Sequence, residues 1–275
     1  MNYELLIQNF LNTMEKELNL IDFEIVKQNI RNIDIDLLEK NKNEHANGSY
    51  SPTGVIAIHE KNNKGTFYHE LFHAASSYYN EDKMEFNSGF HHQNVNEKKD
   101  IGIGINEGYT ELLTERYFDS NNESGYSNEL HYAKLVEHII GKEKMQSYYL
   151  ESSLNDLIME LCKYNSLENT LKFLENMDKF IILGELKDDK IKSFSETTSF
   201  VEYSKWFDEL DEYINKTYNE LNQFIVETHF NKLKSDPDYE KNKDELISMM
   251  STPLSFNFKK YHFDIKSQFS KNNNI

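Results

Sequence analysis

The chain of 275 residues holds one cysteine, three prolines and ten glycines. A single cysteine excludes an intramolecular disulfide and any cysteine-based metal cluster. Cys162 sits in "DLIMELCKYNS" at an apolar helical position, where a buried structural thiol is expected rather than a nucleophile. So few helix breakers over this length favour long helices. Positive charge is scarce too: 30 Lys and Arg stand against 47 Asp and Glu, a formal net charge of −17. A surface this acidic repels nucleic acid and anionic membranes, so neither is expected as a partner. Cations and basic peptide segments suit it better. The opening "MNYELLIQNFLNTMEKELNL" has neither the basic start nor the continuous apolar run of a signal peptide. No window reaches the apolar length of a membrane span. The expected location is the cytoplasm, with export by a route that needs no signal peptide left open.

Aromatic residues are plentiful, with 18 Phe and 17 Tyr, so an aromatic-rich core is expected. Residues 3 to 18 place Leu6, Ile7, Phe10, Leu11, Met14 and Leu18 at helical spacing. Residues 22 to 40 alternate in places and predict a strand followed by a short helix. Turn signals at Asn47-Gly48 and Pro52 to Gly54 flank "GVIAIHE", which reads as a strand. A helix carrying "FYHELFHAASSYY" follows it. Residues 80 to 104 are polar and irregular and read as a long loop, hinged at Gly89, Gly102 and Gly104 and flanking the site. Helical patterning returns at "INEGYTELLTERYF" and dominates from about 142 to 250, with its longest run over about 197 to 233. "STPLSFNFKKYHFDI" reads as a strand or extended arm. The expected class is α+β: residues 1–140 form a catalytic core with a small sheet, and residues 141–275 form a helical subdomain.

The chemistry is concentrated in "GTFYHELFHAAS". His69 and His73 are four apart, so on a helix both imidazoles point to one side and can share a metal ion. Glu70 projects beside that ion, where a carboxylate can take a proton from a water acidified by zinc. The pattern H-E-x-x-H encodes this division of labour. A second helix offers Glu107 and Glu111, again four apart. Glu107 completes a His–His–Glu set that leaves one position open, and Glu111 is placed to hold the outer nitrogen of a ligand histidine, His69 being the expected one.

"HELFH" followed by "NEGYTE" resembles the gluzincin clan of zinc metallopeptidases, the thermolysin-like group and its relatives. The resemblance covers about residues 53 to 118. It implies a zincin-like core, a Zn2+ cofactor and a peptide or protein substrate. It implies His69, His73 and Glu107 as metal ligands, Glu70 as the catalytic carboxylate and Glu111 as the acid behind a ligand histidine. It also implies that the strand "GVIAIHE" is a sheet edge along which substrate backbone pairs. The connection from His73 to Glu107 is longer than in thermolysin, and no downstream histidine motif matches. The metzincin pattern is excluded, because Ser76 and Tyr79 stand where it needs Gly and His.

An oxyanion formed on the substrate needs a donor. Tyr109, Tyr117, Tyr126, His131, His91 and His92 are available; Tyr109 faces away from the ligand side of its helix, and Tyr126 or His131 is favoured because both follow that helix after a turn. The rival class is a non-catalytic helical interaction protein on a zincin scaffold. Glu70 argues against it, since a structural metal site has no use for that carboxylate.

Overall fold

A computed structural model describes residues 1–31, 33–37, 48–58, 63–94, 96–118, 126–193, 200–236 and 239. Helix α1 (Tyr3–Glu17) is capped by Asn2, whose side chain accepts the Leu5 N–H, and buries Leu6, Phe10 and Met14 from one stripe. Helix α2 (Leu20–Ile30) starts on Asn19, which accepts from Ile21 and Asp22, and buries Phe23, Val26 and Ile30. Strand β1 (Asp34–Leu37) comes after this helix. The order expected for residues 22 to 40 is thus reversed. Burial every third or fourth residue from Phe23 to Ile30 is a helical period, and the short polar alternation that resembled a strand belongs only to "DIDL".

Strands β2 (Gly48–Tyr50) and β3 (Val55–Ile58) complete a small sheet of order β1-β3-β2. β3 pairs parallel with β1 and antiparallel with β2. It is therefore the central strand and not an edge; the free edge on that side belongs, among the described residues, to β2. Helix α3 (Lys64–Ala75) packs on this sheet and carries the histidine pair. Its first turn is closed by Asn63, which accepts the Thr66 N–H, and every residue from Phe67 to Ala75 is buried.

The long loop expected at residues 80 to 104 is a second sheet instead. Strands β4 (Ser77–Asn80), β5 (Glu85–Ser88), β6 (His91–Asn94) and β7 (Lys99–Ile101) form an antiparallel meander of order β4-β5-β6-β7. Polar residues fill both faces of these short strands, so no apolar alternation announces them. The expected hinges are fixed points: Gly89 turns β5 into β6, and its N–H donates to the Ser76 carbonyl (2.9 Å).

Among the described residues, six helices follow this sheet: α4 (Ile103–Phe118), α5 (Ser127–Ile140), α6 (Lys142–Leu150), α7 (Leu154–Leu161), α8 (Leu167–Ser193) and α9 (Phe200–Ser235). The last matches the longest helical run read from the sequence. "STPLSFNFKKYHFDI" lies outside the described residues. Cys162 caps α7 half-buried, its thiol 3.8 Å from Thr170 Oγ1. The buried apolar cluster draws on both halves of the chain, with Phe10, Phe72, Leu113, Leu157, Phe173 and Ile225 among its members. Each such side chain contributes about 1.5–3 kcal/mol by leaving water. No described helix is long and apolar enough to cross a membrane.

Helix α4 is held by α8 at its start and by α5 further along. At its start, Asp178 of α8 accepts the N–H groups of Gly102 (2.9 Å) and Gly104 (2.8 Å), which satisfies orphan donors of the first turn. Gly104 is glycine because a Cβ there would lie 2.3 Å from the Met177 carbonyl oxygen of α8. Further along, Arg116 of α4 forks onto Glu137 of α5, which also accepts the Tyr109 hydroxyl (2.9 Å). Replacing Asp178 with Ala therefore lowers stability by about 1–2 kcal/mol. Asn, which keeps one acceptor, costs less. Urea unfolding of the two variants measures the difference.

Candidate metal centre

Helices α3 and α4 bring the expected ligands together. His73 Nε2 lies 3.0 Å from His69 Nε2. The Glu107 carboxylate lies 3.0 Å from His69 Nε2 and 3.4 Å from His73 Nε2. Both histidines are buried, and Glu107 is nearly so. Four-residue spacing on α3 aligns the imidazoles, and α4 crosses so that its second turn faces them. Donor atoms at about 2.0–2.1 Å from one ion in tetrahedral geometry sit about 3.3 Å apart. The observed separations match that figure. His69, His73 and Glu107 thus form a cluster that could hold a metal ion.

The outer nitrogens are also accounted for. His69 Nδ1 lies 3.1 Å from Glu111 Oε2, so Nδ1–H donates to the carboxylate and Nε2 is the nitrogen left to face a metal. Glu111 is where the sequence spacing put it. His73 Nδ1 lies 3.5 Å from Ser88 Oγ and 3.3 Å from the Asn106 amide nitrogen. Ser88 donates its own proton to the His73 carbonyl (3.0 Å), leaving its oxygen to accept from Nδ1–H. Asn106 Oδ1 accepts the Phe90 N–H (2.9 Å), tying the β5–β6 turn to the cluster. Ser88 was not legible beforehand, since nothing in "NSGFHHQ" announces a strand that returns to α3. Asn106 had one signal, its place directly before Glu107.

Electrostatics follow the geometry. Burial pushes the metal-free His69 imidazole down, but Glu107 and Glu111 outweigh it and raise it to about 10. Burial pushes Glu107 up, and the adjacent His73 and His69 reverse this and hold it well below the usual carboxylate range. Glu70 is buried, and burial raises its carboxyl against the opposing pull of His73 and His69. It is not among the three clustered donors.

Tyr126 caps the start of α5, and its ring stacks on His69 at 5.7 Å between centroids and 18° between planes. Its hydroxyl hydrogen-bonds Glu107, whose charge, with burial, raises its pKa. His131, one helical turn on, has its ring against Tyr132 (5.3 Å), and burial followed by Lys134 lowers its pKa. None of its described contacts is with the cluster. The remaining expected donors are engaged elsewhere: Tyr109 with Glu137, Tyr117 with Gln146, His91 with Asp100 and His92 with Asn87.

Comparison of the chain with models of known families, with curated proteins and with solved structures finds no match in any of the three. The likeness to gluzincins therefore rests on the two motifs and on the cluster they build.

Two outcomes follow from the geometry. Glu111→Ala raises the metal Kd about 10- to 100-fold, and Glu107→Ala raises it further, as measured by competition with a chelator. In addition, His69 of the metal-free protein is protonated below about 10, so metal uptake at neutral pH releases a proton and affinity increases as pH rises. Calorimetry in buffers of different ionisation enthalpy reads that proton directly; uptake without release contradicts the assignment of Nε2 as a ligand.

Proposed function

We propose that the protein is a zinc-dependent metallopeptidase of the gluzincin type. The observation that carries the reading is one buried cluster of two imidazoles and a carboxylate, with a further carboxylate, Glu70, beside it but outside the donor set. Two histidines and one glutamate are a donor set suited to catalytic zinc, with a position left for water or substrate. Zinc held there lowers the pKa of water and polarises a carbonyl. Residues 1–140 supply this chemistry, and the helices after 140 brace it.

The chain's own residues divide the work. Glu70 takes the proton from water and passes it to the leaving amine, a role its burial-raised carboxyl suits. Glu111 fixes the tautomer and orientation of His69. Tyr126, the one of the two expected oxyanion donors with described contacts at the cluster, holds Glu107 and is within reach of a carbonyl bound beside His69.

Substrate backbone pairs with β2, not with the central β3. Ser51 donates its N–H to the Val55 carbonyl (2.9 Å). Alternation along the antiparallel ladder makes Ser49–Ala57 the next hydrogen-bonded pair, which turns the N–H and C=O groups of Gly48 and Tyr50 away from β3. An extended peptide needs that two-residue repeat. A folded or disordered protein segment and a short peptide both satisfy it.

Glu70→Gln retains the fold and one zinc per chain while hydrolysis of a mixed peptide pool falls by at least about 1,000-fold, since a general base is removed from a step that depends on it. Metal analysis and mass spectrometry of the digested pool measure both quantities. Loss of the metal would make Glu70 a ligand and overturn the division of roles.

A further inference from the structure

We propose that Gly48 is a positioning residue for Glu70, an inference that rests on the peptidase reading above. Gly48 opens β2, and a Cβ built on it would stand 3.2 Å from both Cγ and Oε1 of Glu70 and 2.7 Å from Thr66 Cγ2. Thr66 and Glu70 are four apart on α3, so β2 lies along the side of that helix next to the ligand pair. The backbone of Gly48 has no positive φ, so conformational freedom does not explain the residue. Space does. The strand closes directly against the carboxylate, and even a methyl group would have to displace it.

The other end of β2 is anchored independently. The Tyr50 hydroxyl bonds Ser77 Oγ at 2.9 Å, and its ring meets Phe86 at 6.3 Å. Ile56 and Ile58, opposite Tyr50 and Gly48, are fully buried. The strand therefore has little freedom to retreat from α3. Glu70, itself buried, is therefore confined on the strand side. The same residue that confines the carboxylate directs its own N–H and C=O to the free edge. Gly48 thus ties the register of a bound backbone to the place of the group that handles the proton.

The test is Gly48→Ala, alone, with Thr66→Ser and in a Glu70→Gln background. In the single variant zinc affinity is unchanged, kcat falls about tenfold and KM stays within about threefold, because a shift of a few tenths of an ångström acts on the proton-transfer geometry. Thr66→Ser removes the methyl group at 2.7 Å, so the double variant regains the melting midpoint but not kcat. In the Glu70→Gln background Gly48→Ala lowers the residual rate no further. A readout independent of turnover is the visible spectrum of the cobalt(II)-loaded protein, whose pH midpoint moves in Gly48→Ala and not in Thr66→Ser. Recovery of kcat together with the melting midpoint, or an unmoved cobalt midpoint, shows that Gly48 only fills space and overturns the proposal. A wild-type protein that binds zinc and cleaves no peptide removes the peptidase reading instead, and the cobalt titration still decides the place of Gly48.

Discussion

The two-sided hold on His69 is the constraint around which the rest is arranged. One nitrogen of the ring faces Glu107 at 3.0 Å and the other faces Glu111 at 3.1 Å. Both partners come from α4, so the ring is fixed only if α3 and α4 cross at one register. An imidazole and two carboxylates at such a depth are costly unless each finds its partner. The surrounding structure supplies that register. Asp178 and the close approach at Gly104 seat the start of α4 on α8, and the Glu137 cluster ties its later turns to α5. Helices remote from the motif in sequence thus set the geometry of the cluster.

The second sheet serves the same end. It leaves α3 at Ser77 and returns to α4 at Ile101, spanning the two ligand helices. On the way, Ser88 bonds His73, and the turn at Phe90 is held by Asn106. His73 therefore has its outer nitrogen addressed by the sheet, whereas His69 has its own addressed by a helix. Tyr149, fully buried against the turn at Gly89, bonds Thr110 of α4 at 2.7 Å.

What could be read beforehand was local and periodic. The histidine pair, Glu107 and Glu111 share a spacing of four, and a helix converts that spacing into a common face without further information. Helices α1 and α9 declared themselves by apolar stripes, and α3 by the four-residue spacing of its histidines. The polar meander did not, because strands of three or four residues with "HHQN" or "SYYN" carry too little alternation to be distinguished from loop. The reversal of helix and strand in residues 22 to 40 has the same origin. That β2 and not β3 lies at an edge was hidden for another reason: which of two neighbouring strands lies at an edge depends on the partner that β1 chooses, and parallel pairing with β3 is a non-local fact. Ser88 and Gly48 come next to α3 through tertiary proximity alone.

Zinc K-edge X-ray absorption on the zinc-loaded protein tests the central claim most directly, since it counts the ligands that the cluster is said to supply. The account predicts one zinc per chain with two imidazole nitrogens and oxygen ligands at about 2.0–2.2 Å, and no sulfur. A third imidazole, or a chain that takes up no zinc with His69, His73 and Glu107 intact, would contradict it.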